Sequence, residues 1–307
     1  MLESKSIKIV HIVGAGRSGT TLLYKLLCLH PDIVYLSRYN IVFPSIPYFS
    51  LINRILKNNL ILKRKKWFED DGNAYFLAQT FLDRLIPMPR EGENFYNFCG
   101  LKLYDNEYSK QEIDNAQKKF RELIKKYVQM AGGNVFLTKR TANNYRLDIL
   151  ARMTPEAKYI HVVRDGRDVT NSLLNVAWWS THTLWRSGKR PCDYPQDIDT
   201  QIELAARNWV EAEKQVSSHL KNMSARCSDK IYHLRYEELV TNPLTEILKI
   251  YSFMNLEVPQ ALPKVISSIR MKSVRNNWKN VFTSEQIERI ENIQGDLLKR
   301  NQYDLLF

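Results

Sequence analysis

The stretch KIVHIVGAGRSGTTLLYKLLCL, residues 8–29, decides how the rest of the chain is read. Ile9, Val10, Ile12 and Val13 form a nearly unbroken β-branched run, the pattern of a strand buried on both faces of a parallel sheet. Leu22, Leu23, Leu26 and Leu27 recur at helical spacing, so a helix is expected to open at Thr20 or Thr21. Between strand and helix, Gly14, Gly16 and Gly19 allow a tight turn. In such a turn successive N–H groups and the helix N-terminus face one point, a setting for an anion.

More than one template fits this loop. GAGRSG at 14–19 satisfies the dinucleotide pattern GxGxxG, which calls for an acid about 20 residues further on to hold the ribose. The next expected strand, 33–36, runs into Ser37, Arg38, Tyr39 and Asn40, with no acid. Residues 14–21 also match the nucleotide-binding pattern GxxxxGK[ST] except at one position, where Thr20 replaces the lysine that neutralises ATP phosphates. A third template has no exception. GRSGTT followed by LLYKLLCLHPDI resembles the 5′-phosphosulfate loop of sulfotransferases that use 3′-phosphoadenosine 5′-phosphosulfate (PAPS). The resemblance implies that Gly16, Arg17, Ser18, Gly19, Thr20 and Thr21 hold this donor. A sulfuryl group carries one charge fewer than a terminal phosphate, so an arginine and two hydroxyls can serve where ATP enzymes need lysine and Mg²⁺.

Further along, strands are expected at 98–103 and 135–139, with a helix over 108–130 between them. Ile113, Ala116, Phe120, Leu123, Ile124, Tyr127 and Val128 supply its apolar face, and Gly132-Gly133 its stop. Strand, helix, strand is a crossover unit, so the sheet is expected to be parallel. The fold class is therefore α/β, a central parallel sheet flanked by helices. The resemblance implies the sulfotransferase variant of the P-loop NTPase fold.

A second anchor is AKYIHVVRDGRDVTNSLL, residues 157–174, which reads as a strand at 159–163, a polar turn and a helix from near Asp165. Ser172 lies eight residues beyond Arg164, about two helical turns, so the two can close on one phosphate. The run VVRDGRDV resembles the 3′-phosphate motif of the same family, which implies that role for Arg164 and Ser172. IYHLRYEELVTNPLTEILKIYSF at 231–253 is similar to the family's strand, YE turn and helix. Tyr236 stands there as a nucleotide contact or, equally, as a packing or capping residue. MKSVRNNWKNVFTSEQ at 271–286 resembles the closing loop of cytosolic sulfotransferases, and the ending LLKRNQYDLLF the terminal helix of the tyrosylprotein type. This implies Lys272 and Arg275 at the 3′-phosphate and Trp278 over the nucleotide, although Met271-Lys272-Ser273 replaces the usual Arg-Lys-Gly.

Sulfuryl transfer is an in-line displacement that needs aligned reactants, cations at the leaving oxygen and an acceptor for one proton. Arg17 supplies one cation, and Lys139, ending FLTK, matches a lysine that the tyrosylprotein type places at the bridging oxygen. For the base, the cytosolic type uses a histidine between the first two motifs, and none occurs from 31 to 160. The tyrosylprotein type uses a glutamate shortly after HPD, where this chain reads IVYLSRYN. The candidates are Glu69, Asp70, Asp71, Glu91, Glu93 and His182. His182 lies in WWSTHTLW, whose Trp178, Trp179 and Trp185 can wall an acceptor pocket, and completes the catalytic set Arg17, Lys139, His182.

The chain has 307 residues, 44% of them apolar, enough for one domain over 1–307 with a large core. Its charge of +12 favours anionic ligands and is compatible with nucleic acid or a membrane surface. Cys28, Cys99, Cys192 and Cys227 are far apart and no signal peptide is evident, so a reduced, cytoplasmic protein is expected. No metal site is expected from six scattered histidines. The most apolar stretch, 41–62, is broken by Pro44, Pro47, Asn53 and Arg54, so no transmembrane helix is expected. Residues 38–93, rich in aromatic, Pro and basic residues, read as an irregular cover over the cofactor side of the sheet. The substrate-covering segment is set at 38–95. Within it Lys63 to Lys66 reads as a solvated helix face, with a polybasic membrane contact as the alternative.

The expectation that the resemblance implies is a PAPS-dependent sulfotransferase acting on a hydroxyl or amine of a small molecule of specialised metabolism, without nucleic acid and with homodimer formation open. A soluble carbohydrate or tyrosyl acceptor is the nearest alternative. A P-loop small-molecule kinase and a non-enzymatic basic binding protein are the rival classes.

Overall fold

The computed structural model describes residues 7–68, 86–102, 108–184, 187–224, 228–271 and 276–307. Five strands, β1 (Lys8–Val13), β2 (Ile33–Val34), β3 (Val135–Lys139), β4 (Lys158–Val163) and β5 (Ile231–Arg235), form one parallel sheet in the order β2-β3-β1-β4-β5. The central β1 pairs Ile12 with Lys139 and Val13 with His161, so the carboxyl ends of the strands come level along one edge. In open α/β sheets that edge is where ligands bind.

The near-continuous apolar runs are explained by burial on both faces. Val10 and Ile12 join a core with Leu23, Leu26, Ile160, Val162, Ile247 and Ile250. Ile9 and Val13 face the opposite way, toward Phe120, Ile124, Phe136, Tyr159 and Leu220. The long helix Lys110–Ala131 on that second face is stopped at Gly132 and opened by a capping box in which Ser109 and Glu112 satisfy each other's backbone N–H groups.

Three expectations need correction. The stretch 98–103 is not a strand over its described part: Glu93–Phe98 is a helix, and Cys99 and Gly100 turn away from it. Phe95, Tyr96 and Cys99 are buried at helical spacing, and Gly100 has φ 93°, which no strand accommodates. The crossover thus runs from β2 to β3, which pair in parallel. Strand β2 is also shorter than expected, because Ser37 already caps a helix, Arg38–Val42. Finally, the described part of the cover is helical: Arg38–Val42, Ser50–Leu56 and Leu60–Trp67 follow one another, joined by a 3₁₀ turn at Pro47–Phe49. Helices of five to eight residues are too short for a 3.6-residue period to stand out.

Candidate functional site

The Gly-rich loop leaves β1 and enters the helix Thr20–Leu27. Gly19 takes a left-handed φ of 84°, and a Cβ there would collide with the Tyr236 ring. The first intrahelical bond runs from Leu23 N to Gly19 O, 3.1 Å, so the preceding amides of the first turn have no helical carbonyl to donate to. Asn144 clamps the loop from β3's side, receiving the Gly14 N–H at 3.2 Å and donating to Gly14 O at 2.8 Å. Ser18 is buried within the loop, and its Oγ meets no hydrogen-bond partner among the described residues. A buried hydroxyl left unsatisfied in this way costs about 1–3 kcal/mol, which a bound anion would recover.

The two sequence anchors, about 150 residues apart, meet. Arg17 Nε donates to Ser172 Oγ at 2.9 Å, and Arg164 donates to the Arg17 carbonyl at 3.0 Å. The Arg164 guanidinium also stacks on Tyr236, 4.5 Å from the ring centroid. Tyr236 therefore packs beneath loop and arginine together. Arg167 is engaged elsewhere, wholly buried and paired with Asp165 at 2.8 Å and with Glu291.

Trp278 lies 1% exposed among Ile202, Ala206 and Ile290, its ring 4.0 Å from the Arg167 guanidinium. In that position it supports the second anchor from behind. Asp168 accepts the backbone N–H of Asn276 at 2.9 Å and of Trp278 at 3.3 Å, which ties the C-terminal loop to the same helix, Gly166–Leu174. Lys272 and Arg275, expected at the 3′-phosphate, lie outside the described residues, as do Glu69, Asp70, Asp71 and Trp185.

Beside the loop opens a cavity of about 540 Å³. Gly16, Arg17, Glu91, Lys139, Arg140 and His182 reach its wall, with Tyr145, Leu173 and Trp178 as its apolar lining. Lys139 Nζ bridges Thr21 Oγ1, 3.1 Å away, and the Glu91 carboxylate. Arg140 holds the other Glu91 oxygen at 3.0 Å and Glu93 at 2.9 Å, while Arg146 grips Glu93 at 2.8 Å. Burial of Glu91 opposes ionisation, but Lys139 and Arg140 outweigh it and hold the carboxyl below its ordinary range. His182 stacks against Trp179, and burial, helped by Arg140, pulls its imidazole below 6.5.

The structure thus brings Arg17, Lys139, His182, Arg164, Ser172 and the loop residues to one edge. Of the described residues in 38–95, only Glu91 lines the cavity; Ser50–Leu56 lies by β2, where Asn53 bonds Tyr35 O and Lys57 pairs with Asp32, and Leu60–Trp67 packs against the helix Leu262–Ser267. Sequence reasoning missed Asn144 and the Arg140–Glu93–Arg146 brace. Their signal was the polar run KRTANNYR directly after a strand end. Among the described residues no three His, Cys, Asp or Glu converge to hold a metal, and no helix is long and apolar enough to cross a membrane.

A family model described as the sulfotransferase family matches residues 10–260. A curated relative, the omega-hydroxy-beta-dihydromenaquinone-9 sulfotransferase Stf3 of Mycobacterium bovis, is 22% identical over 96% of this chain and 75% of its own length. The crystal structure of sulfotransferase STF9 from Mycobacterium avium superposes with a TM-score of 0.56 at 18% identity, covering 98% of this chain and 78% of that one. The sulfotransferase domain from the curacin biosynthetic pathway gives 0.53 at 14% identity, with 98% and 100% coverage.

Proposed function

We propose that this chain, which belongs to the sulfotransferase family, moves a sulfuryl group from PAPS to a hydroxyl or amine of a small molecule held in the 540 Å³ cavity. The observation that carries this reading is the bond between Arg17 and Ser172, with Arg164 on the Arg17 carbonyl. It joins two arginine-bearing anion sites side by side, as a donor with a 5′-phosphosulfate and a 3′-phosphate requires. The orphaned Ser18 hydroxyl and the first-turn amides fit the sulfate end. The M. bovis relative is named for an ω-hydroxylated acceptor, which supports a hydroxyl on a small molecule.

Arg17 and Lys139 neutralise charge on the leaving oxygen, in a partly buried site where such contacts are strong. Lys139 is shared between Thr21 of the loop and Glu91. Negative charge arriving in the loop competes for its ammonium, and the freed Glu91 oxygen then takes the acceptor's proton. Glu91 is the base in this reading. His182, neutral at pH 7 and on the same wall, is the second candidate, favoured by its depressed pKa.

The test is thermal stabilisation by adenosine 3′,5′-bisphosphate, ATP with Mg²⁺ and NAD at equal concentration. A native-state ligand at a hundredfold excess over Kd adds about 2.7 kcal/mol. Stabilisation by the bisphosphate alone, abolished by Arg164→Ala, is the expected result. Stabilisation by Mg-ATP or NAD instead would overturn the donor assignment.

A further inference from the structure

We infer that the helical segment from 38 to 67 is a docking surface for an anionic membrane. From Arg38 to Phe68 the sequence carries seven basic residues and no acid; of these Lys63 points inward and Lys57 pairs with Asp32. The same segment turns its apolar side chains outward: Val42, Phe43, Ile46, Tyr48, Leu51, Ile55 and Ile61 are seven of the thirteen large hydrophobics exposed among the described residues. Such concentration distinguishes a patch from the scattered exposed apolar residues normal on any surface.

The orientation of the last helix, Leu60–Trp67, is the sharpest sign. Ile61 is 78% exposed, whereas Lys63 is 2% exposed, its ammonium bonded to Cys28 O at 3.3 Å and set over the Trp67 ring. Burial lowers that lysine to about 8. A fold that puts a lysine inside and an isoleucine outside on one helix has not arranged it for water. Ile55, 79% exposed on Ser50–Leu56, lies beside exposed Arg54, and Lys65 is exposed next to the inward Lys63. The C-terminal half of Lys110–Ala131, on which Ser50–Leu56 packs, adds exposed Lys125 and Lys126 against exposed Glu122. Apolar groups that enter the acyl boundary, ringed by cations that meet lipid phosphates, make an interfacial surface. The charge selects this occupant over a second copy of a chain that itself carries +12.

No residue of this segment lines the cavity, and the surface stands apart from the donor assignment. Co-sedimentation with vesicles of phosphatidylcholine alone and of phosphatidylcholine with phosphatidylglycerol tests it. The full chain is expected on the anionic vesicles, at least ~10-fold more weakly on the neutral ones, and to be released by salt. Ile55→Ser with Ile61→Ser, both at exposed positions, is expected to weaken binding about tenfold with an unchanged urea midpoint. No binding by the unmodified chain overturns the proposal, as does binding indifferent to the double substitution. So does light scattering that shows a dimer which these substitutions dissociate, since the face would then belong to a second copy.

Discussion

Glu91 and His182 share a cavity wall but titrate for different reasons, and pH separates them. In the free enzyme the cations beside Glu91 keep it ionised below its ordinary 4.5, so with Glu91 as base kcat/KM is flat between pH 7 and 5. Glu91→Gln is then expected to lower kcat by about 10²–10⁴ while the bisphosphate still binds. A rate that falls with an imidazole midpoint below 6.5, and is lost in His182→Gln, assigns the base to the histidine instead. His11 offers a stability counterpart. It is fully buried, stacked on Tyr159, and neither ring nitrogen has a hydrogen-bond partner among the described residues. Burial lowers its pKa from 6.5 to about 4, so below 6.5 the unfolded chain binds more protons than the folded one. The neutral ring's stabilisation is intact above 6.5 and is lost as pH falls toward about 4, by roughly 2 kcal/mol between pH 7 and 5. Urea unfolding at both pH values should show that loss reduced in His11→Phe.

At the scale of elements, the strand–loop–helix unit works because Gly19 ends the loop in a left-handed conformation with the Tyr236 ring pressed against it. Gly19→Ala is expected to cost about 1–3 kcal/mol through strain and to abolish stabilisation by adenosine 3′,5′-bisphosphate, while far-ultraviolet circular dichroism stays the same. Elements that carry their own punctuation were legible in sequence: β1 and its helix, Lys110–Ala131 between Ser109 and Gly132, and Gly166–Leu174 capped by Asp165. Glu93–Phe98 and the short helices from 38 to 67 were not. Phe95 and Tyr96 suit a strand as well as a helix, and only packing against Phe120 and Phe136 decides for the helix.

Across the whole molecule, the C-terminal helix Ser284–Arg300 fixes the second anchor. Glu291 accepts from Arg167 and from the backbone N–H groups of Leu306 and Phe307, and Gln294 bonds Gly166 O and Thr170. Removing one partner of a buried pair leaves the other uncompensated. Glu291→Ala is therefore expected to lower stability by about 3–5 kcal/mol, read as a lower urea midpoint with unchanged slope, and to weaken bisphosphate binding through the displaced anchor.

The sequence by itself determined the parallel sheet, the two anchors and the family, because each rests on local chemistry: β-branched runs, glycines where the backbone must turn, arginines at strand ends. Tertiary structure alone decided which charges face the cavity. Arg164 and Arg167 lie three residues apart in one turn, yet one reaches Arg17 while the other is consumed by Asp165 and Glu291. Glu91, one of several acids the sequence left open as the base, is singled out only because β3 ends beside it with Lys139 and Arg140. These assignments depend on the close approach of segments far apart in the chain, and no local pattern encodes that proximity.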